Sequence, residues 1–148
     1  MKRKIALITG VCGQDGSYLA NLLLEKKYKV IGIERFNSQQ QKWRHKYLNI
    51  ESKIFYEQAD LNDELSINKI IRKYKPDEFY NLASHSFVKS SFNQPLNVID
   101  TNAKSVVRIL ECLKNFSHHT KYYQASTSEM YGGQSKKKLD LNSEFNPR

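Results

Sequence analysis

Three glycines and one hydroxyl–carboxylate pair are spaced for chemistry in this chain. Gly10, Gly13 and Gly16 follow the apolar run Ile5-Ala6-Leu7-Ile8 and precede a helical pattern at Leu19, Leu22 and Leu23. A strand, a glycine turn and a helix start in that order bring bare backbone N–H groups, and the positive end of the helix dipole, to a pyrophosphate. Gly10 lets the chain turn sharply, Gly13 lets the backbone approach the phosphates, and Gly16 lets the helix lie close on the strand. Far along the chain, Thr127 and Glu129 stand two residues apart, just past the run Tyr122-Tyr123-Gln124-Ala125. Such a pair suits proton transfer. Ser126 with Glu129 three residues on also reads as a helix-capping box, and spacing alone points more to the cap.

These residues need a scaffold, and the apolar periodicity supplies one. Residues 17–27 read as a helix and 28–34 as a second strand, a βαβ unit whose right-handed crossover makes its strands parallel neighbours. Residues 37–49 are polar, with Trp43 and Tyr47 four apart as on one face of a short helix. A third strand over 53–59 is closed by Asp60-Leu61. Asn62 or Asp63 then caps a helix carrying Leu65, Ile67, Ile70, Ile71 and Tyr74, which Pro76 stops. Residues 79–83 read as the fourth strand and 84–94 as a loop with one helical turn. Pro95 opens a long helix to about residue 116, whose stripe Ile99, Ala103, Val106, Leu110 and Leu113 predicts core packing. A fifth strand covers 122–125, and residues from 132 onwards read as loop. The expectation is α/β: one dinucleotide-binding domain over 1–148, a Rossmann-like doubly wound parallel sheet of order 3-2-1-4-5.

In such a sheet ligands bind beyond the carboxyl ends of the strands. That rule selects the glycine loop, Glu34-Arg35, Asp60-Leu61 with Leu82-Ala83, and 126–129 as borders of one crevice. An acid after the second strand accepts hydrogen bonds from a ribose, whereas an arginine there pairs with a ribose 2′-phosphate. Glu34 and Arg35 offer both, so this pair alone does not separate NAD from NADP. Asp60 either bonds the adenine amine, with Leu61 and Ala83 lining its face, or caps a helix.

Composition narrows the partners. The net charge of +9 is spread along the chain, and its one dense run, Lys136-Lys137-Lys138, reads as a solvated loop, so nucleic acid is not expected. No apolar run approaches the ~20 residues of a membrane span, and the basic start leads into a run too short for a signal peptide; the cytoplasm is the expected compartment. The two cysteines, Cys12 and Cys112, form no disulfide framework and no metal-ligand spacing. Cys12 lies near a helix start that can lower a thiol pKa, but it reads first as a small residue filling a turn.

The motifs resemble the extended short-chain dehydrogenases/reductases, and within them the GDP-mannose 4,6-dehydratase family. The resemblance rests on Gly13-Gln14-Asp15-Gly16-Ser17-Tyr18-Leu19, Tyr80-Asn81-Leu82-Ala83 and Gln124-Ala125-Ser126-Thr127-Ser128-Glu129-Met130-Tyr131-Gly132. It implies a lyase with an internal redox cycle acting on GDP-mannose or a related nucleotide sugar. NADP takes hydride from C4 and returns it to C6, and Glu129 removes the C5 proton as water leaves. Thr127 bonds the C4 hydroxyl. Gln14, Asp15, Arg35 and Ser86 join the glycines, Asp60, Leu61, Leu82 and Ala83 as cofactor-side residues.

Departures qualify that resemblance. Phe36 stands where a second arginine is usual, and Glu34 where the family does not usually put an acid, so NAD is a second option. Arg35, Ser38 and Arg44 still match the segment that serves the 2′-phosphate in relatives, while His85 replaces a Gln and Phe87 a His in the substrate-side loop. The family's Tyr-x-x-x-Lys is not found in these 148 residues. The expectation is the cofactor-binding part of such an enzyme, working as a homo-oligomer or with a second chain and turning over little substrate alone. The alternatives are a catalytically silent dinucleotide-binding module and a related nucleotide-sugar epimerase or reductase.

Overall fold

The computed structural model describes residues 3–35, 42–132 and 138–147. The expectations for Phe36, Ser38, Lys136 and Lys137 lie outside these residues, as does the start of the 37–49 segment. Five parallel strands, β1 (Ile5–Thr9), β2 (Lys29–Glu34), β3 (Phe55–Gln58), β4 (Glu78–Asn81) and β5 (Lys121–Gln124), form one sheet in the expected order, β3-β2-β1-β4-β5. The order reverses beside β1, so the end of β1 faces the crevice between the two halves of the sheet. β1 is a continuous apolar run because both of its faces are covered. Ala6 and Ile8 pack with Ala20 and Leu23 of helix α1 (Gln14–Glu25). Leu7 packs on the other face with Ile67, Ile70 and Ile71 of α3 (Glu64–Tyr74). In sequence between these helices comes the short α2 (Trp43–Tyr47), which packs against α1.

Helix α3 is capped by Asp63, whose carboxylate accepts from the Leu65 N–H at 3.1 Å. Lys75 closes it in the left-handed conformation just ahead of Pro76. The 84–94 stretch contains the helical turn expected of it, as α4 (Val88–Asn93). The expected single long helix is interrupted, and of its expected core stripe Leu113 is buried and Val106 half-buried, while Ile99, Ala103 and Leu110 are exposed. The helical path runs as α5 (Pro95–Ile99), a wide π turn (Asp100–Lys104) and α6 (Ser105–Phe116). The extra residue in the π turn rotates the register, so Thr101, Ser105, Ile109, Cys112 and Leu113 are buried, while Ile99 and Leu110 are 48% and 43% exposed.

The close approach of α1 to β1 rests on Gly16. A Cβ there would run into the Gly10 carbonyl oxygen and lie 2.8 Å from the Val11 Cα, both backbone atoms that cannot step aside. Replacing glycine by alanine in an exposed helix interior normally stabilises by about 0.5–1 kcal/mol. Gly16→Ala is expected to do the reverse, destabilising by roughly 1–3 kcal/mol through overpacking, as read by urea denaturation. A gain in stability contradicts this packing.

Candidate cofactor site

The turn from β1 into α1 is made almost entirely of backbone. Gly10 adopts φ +66°, and its missing Cβ would lie 3.0 Å from the Ala83 nitrogen, so the turn presses directly on the chain leaving β4. The Gly13 N–H closes the turn onto the Gly10 carbonyl at 2.9 Å, and Gly13 then serves as N-cap of α1 without a side-chain cap. The N–H groups of the first helical turn are therefore left for a ligand.

Thr9 fixes this turn against the neighbouring strand ends. Its hydroxyl, fully buried, donates to Asn81 Oδ1 at 2.6 Å and accepts from the Leu82 and Ala83 N–H groups at 3.1 Å each. Asn81 passes the link on, donating through Nδ2 to Gln124 Oε1 at 2.9 Å; that oxygen also accepts from the Tyr122 hydroxyl at 2.5 Å. The ends of β1, β4 and β5 are thus tied together beneath the crevice. Tyr122 and Gln124 apart, these partners are 43 to 74 residues apart in sequence, so motif spacing reveals none of those links; a polar residue at the end of an apolar strand is the available signal.

A cavity of about 480 Å³ opens beyond these strand ends. Thr9, Gly10, Cys12 and Gly13 form its floor, Ile33, Glu34 and Arg35 one wall, Ala59 and Leu61 a second, and residues 82–86 the side facing β4. Eight expected residues or their immediate segments therefore converge: Gly10, Gly13, Glu34, Arg35, Leu61, Leu82, Ala83 and Ser86. Others lie apart. Gly16 acts through packing. Gln14 faces a separate pocket with Tyr18, Trp43 and Tyr47, and Asp15 is exposed in the first turn of α1. Asp60 neither lines the cavity nor caps α3: its carboxylate accepts from the Asn62 N–H at 2.9 Å, closing the turn after β3.

Thr127 and Glu129 sit past β5, both exposed and outside the cavity lining. Thr127, rather than Ser126, is the cap: its hydroxyl accepts from the Glu129 N–H at 3.1 Å at the start of a 3-10 turn (Ser128–Tyr131).

Electrostatics concentrate at the end of β2. The Glu34 side chain is 8% exposed and pairs with Lys42 at 3.1 Å through one oxygen. Its other oxygen is buried and has no hydrogen-bond partner among the described residues. Arg35 reaches over the cavity to within 3.5 Å of His85 Nε2. Cys12 is 6% exposed, and burial, followed by the nearby Glu34 charge, pushes its thiol pKa up. It fills the turn as a protonated thiol. His45 of α2 is fully buried behind the loop, and desolvation holds its pKa below the ordinary imidazole range, against the raising effects of Val11, Glu51 and Glu34; Lys42 adds to the lowering.

Residues 7–148 match the sequence family described as GDP-mannose 4,6 dehydratase. The chain is 44% identical over 141 residues to a GDP-mannose 4,6-dehydratase of Vibrio cholerae, covering 89% of this chain and 37% of that protein. It is 44% identical over 138 residues to the Homo sapiens GDP-mannose 4,6 dehydratase, covering 88% and 37% respectively. It thus spans well under half the length of these relatives. Among solved structures, the UDP-Glc/GlcNAc 4-epimerase of Campylobacter jejuni superposes with a TM-score of 0.84 at 20% identity, over 98% of this chain and 44% of the other, a likeness of fold alone. The UDP-N-acetylglucosamine 4-epimerase of Methanobrevibacter ruminantium, in complex with UDP-N-acetylmuramic acid, superposes at 0.80 with 26% identity, over 99% and 45%.

The buried His45 makes stability depend on pH. Because folding lowers its pKa, the unfolded chain takes up the proton first as pH falls. The stability that neutral His45 contributes is complete above about pH 6.5 and is lost as pH drops through the folded-state value. Urea midpoints should decline between about pH 7.5 and about pH 5.5, and His45→Gln should flatten that decline. An unchanged wild-type midpoint across this window contradicts the buried neutral state.

Proposed function

The chain belongs to the GDP-mannose 4,6-dehydratase family, and from that membership we propose that it forms the dinucleotide-binding part of a nucleotide-sugar 4,6-dehydratase. One observation carries the reading: the glycine turn, the end of β2 and the 82–86 segment line a single cavity at the switch point of the sheet. The first turn of α1 receives the pyrophosphate on its unused N–H groups. Leu61 and Ala59 offer an apolar face to the adenine, and residues 82–86 border the nicotinamide side. The bound dinucleotide supplies hydride transfer. Glu129 then serves as the base toward the C5 proton and Thr127 as hydrogen-bond partner of the C4 hydroxyl, on a substrate of the GDP-mannose class.

The residues favour NAD over the NADP that the resemblance implies. Glu34 lines the cavity with a carboxylate, one of whose oxygens has no hydrogen-bond partner among the described residues, which suits a donating ribose hydroxyl. A 2′-phosphate would bring further negative charge against that carboxylate. Arg35 and Lys42 are the residues that oppose this preference.

The proposal also includes assembly. Leu96, Ile99, Val107 and Leu110 leave an apolar helix surface exposed, which supports a homo-oligomer or a second chain as partner. A second reading, a dinucleotide-binding module without catalysis, is favoured by one observation. Thr127 Oγ1 is engaged as a cap, and Glu129 stands outside the cavity.

Calorimetric titration with NAD⁺ and NADP⁺ in parallel tests the cofactor assignment. NAD⁺ is expected to bind at least about tenfold more tightly, and Glu34→Gln to narrow that gap. Tighter binding of NADP⁺ assigns the end of β2 to Arg35 and Lys42 instead. Binding of neither overturns the dinucleotide reading.

A further inference from the structure

The glycine loop is held from behind by a helix of five residues, of which the cofactor segments of the sequence include only Arg44. His45 Nε2 lies 2.9 Å from the Val11 carbonyl oxygen, and its Nδ1 lies 2.7 Å from the Tyr56 hydroxyl on β3. A carbonyl can only accept, so Nε2 carries the proton and donates. Nδ1 is then the acceptor, and Tyr56 donates to it. Both bonds together fix the tautomer and orientation of the ring. Arg44, the preceding residue, donates from Nη1 to the Cys12 carbonyl at 3.4 Å. Successive carbonyls of the turn are thereby drawn toward α2.

That pull determines where the loop's donors point. In a planar trans peptide the C=O of one residue and the N–H of the next are antiparallel. Holding the Val11 oxygen toward His45 turns the Cys12 N–H away from α2, and Cys12 lines the cavity. The Gly13 N–H is already committed to Gly10. Ser17 Oγ also lies 3.3 Å from the Val11 oxygen, but its one proton goes to the nearer Gly13 carbonyl at 2.7 Å, so within the turn the Cys12 amide is the donor whose direction depends on His45. A fully buried histidine is a demanding way to satisfy one carbonyl, because its second nitrogen must be satisfied too; Tyr56 meets that demand.

Resting on the dinucleotide reading above, we propose that His45, braced by Tyr56, is a positioning residue for pyrophosphate binding: it aims the Cys12 amide by holding the Val11 carbonyl. A purely structural histidine would lower stability and weaken every ligand of the cavity alike. A positioning histidine weakens ligands that carry the pyrophosphate and spares those that do not.

The test compares wild type with His45→Leu, His45→Gln and Tyr56→Phe, titrating NAD⁺ by calorimetry and adenosine by NMR. Glutamine can place a donating nitrogen near the Nε2 position, and Tyr56→Phe removes a single oxygen, so these two variants read the strut even where His45→Leu fails to fold. His45→Leu is expected to weaken NAD⁺ by at least about tenfold and Tyr56→Phe by about threefold, with His45→Gln within about threefold of wild type. Adenosine affinity should stay the same in every folded variant. NAD⁺ affinity unchanged in Tyr56→Phe and His45→Leu, or adenosine weakening in step with NAD⁺, overturns the positioning role alone. Failure of the wild type to bind NAD⁺ overturns the dinucleotide reading, and this role with it.

Discussion

The structure depends on a turn in which backbone packs on backbone. Between β1 and α1 the chain reverses against β4 with no side chain in the gap, because Gly10 meets the backbone of Leu82 and Ala83 and Gly16 meets that of Gly10 and Val11. This contact sets how near α1 lies to the sheet, and so how close its unused N–H groups come to the crevice. It also requires every polar group around the turn to find a partner, since water cannot enter a junction so tight. Thr9 answers for the Leu82 and Ala83 amides, His45 for the Val11 carbonyl, and Gly13 for that of Gly10. The side chains surrounding the loop are explained by this accounting.

What could be read from sequence divides along the same line. The glycine turn, the alternation of strand and helix and the strand order were legible because each rests on a local pattern of a few residues. So was Asp63 as one of two candidate caps. The Thr9–Asn81–Gln124 link and the His45–Tyr56 brace were not. They join polar residues whose types are common and whose partners are set by tertiary structure alone. Tyr56, three residues before the apolar Ala59, reads in sequence as an ordinary strand aromatic.

The α5–α6 path failed for a different reason. A count of apolar residues at steps of three and four assumes an unbroken α-helix; it selects Leu113, which is buried, but also Ile99, Ala103 and Leu110, which are exposed, and Val106, which is half-buried. The π turn at Asp100–Lys104 shifts the register, and the helix approaches the domain through small hydroxyl residues, with Thr101 Oγ1 at 3.2 Å from Asn62 Oδ1 and Ser105 Oγ donating to the Thr101 carbonyl at 2.5 Å. Close approach there favours small side chains over large apolar ones, a preference that a hydrophobicity pattern does not register. Past β5, the same limit applies to Thr127 and Ser126: one position decides which hydroxyl caps, and backbone conformation makes that choice.

The central claim is that a dinucleotide lies across the switch point, with its pyrophosphate on the glycine turn and its ribose at the end of β2. Amide chemical-shift mapping by ¹⁵N NMR during NAD⁺ addition tests it most directly. The account predicts saturable shifts concentrated at Gly10, Cys12, Gly13 and Gln14, at Glu34 and Arg35, and at Leu82 and Ala83. Shifts confined to another surface, such as the basic pocket of Arg3, Lys4 and Arg72 at the opposite end of the strands, or no shifts at all, would contradict it.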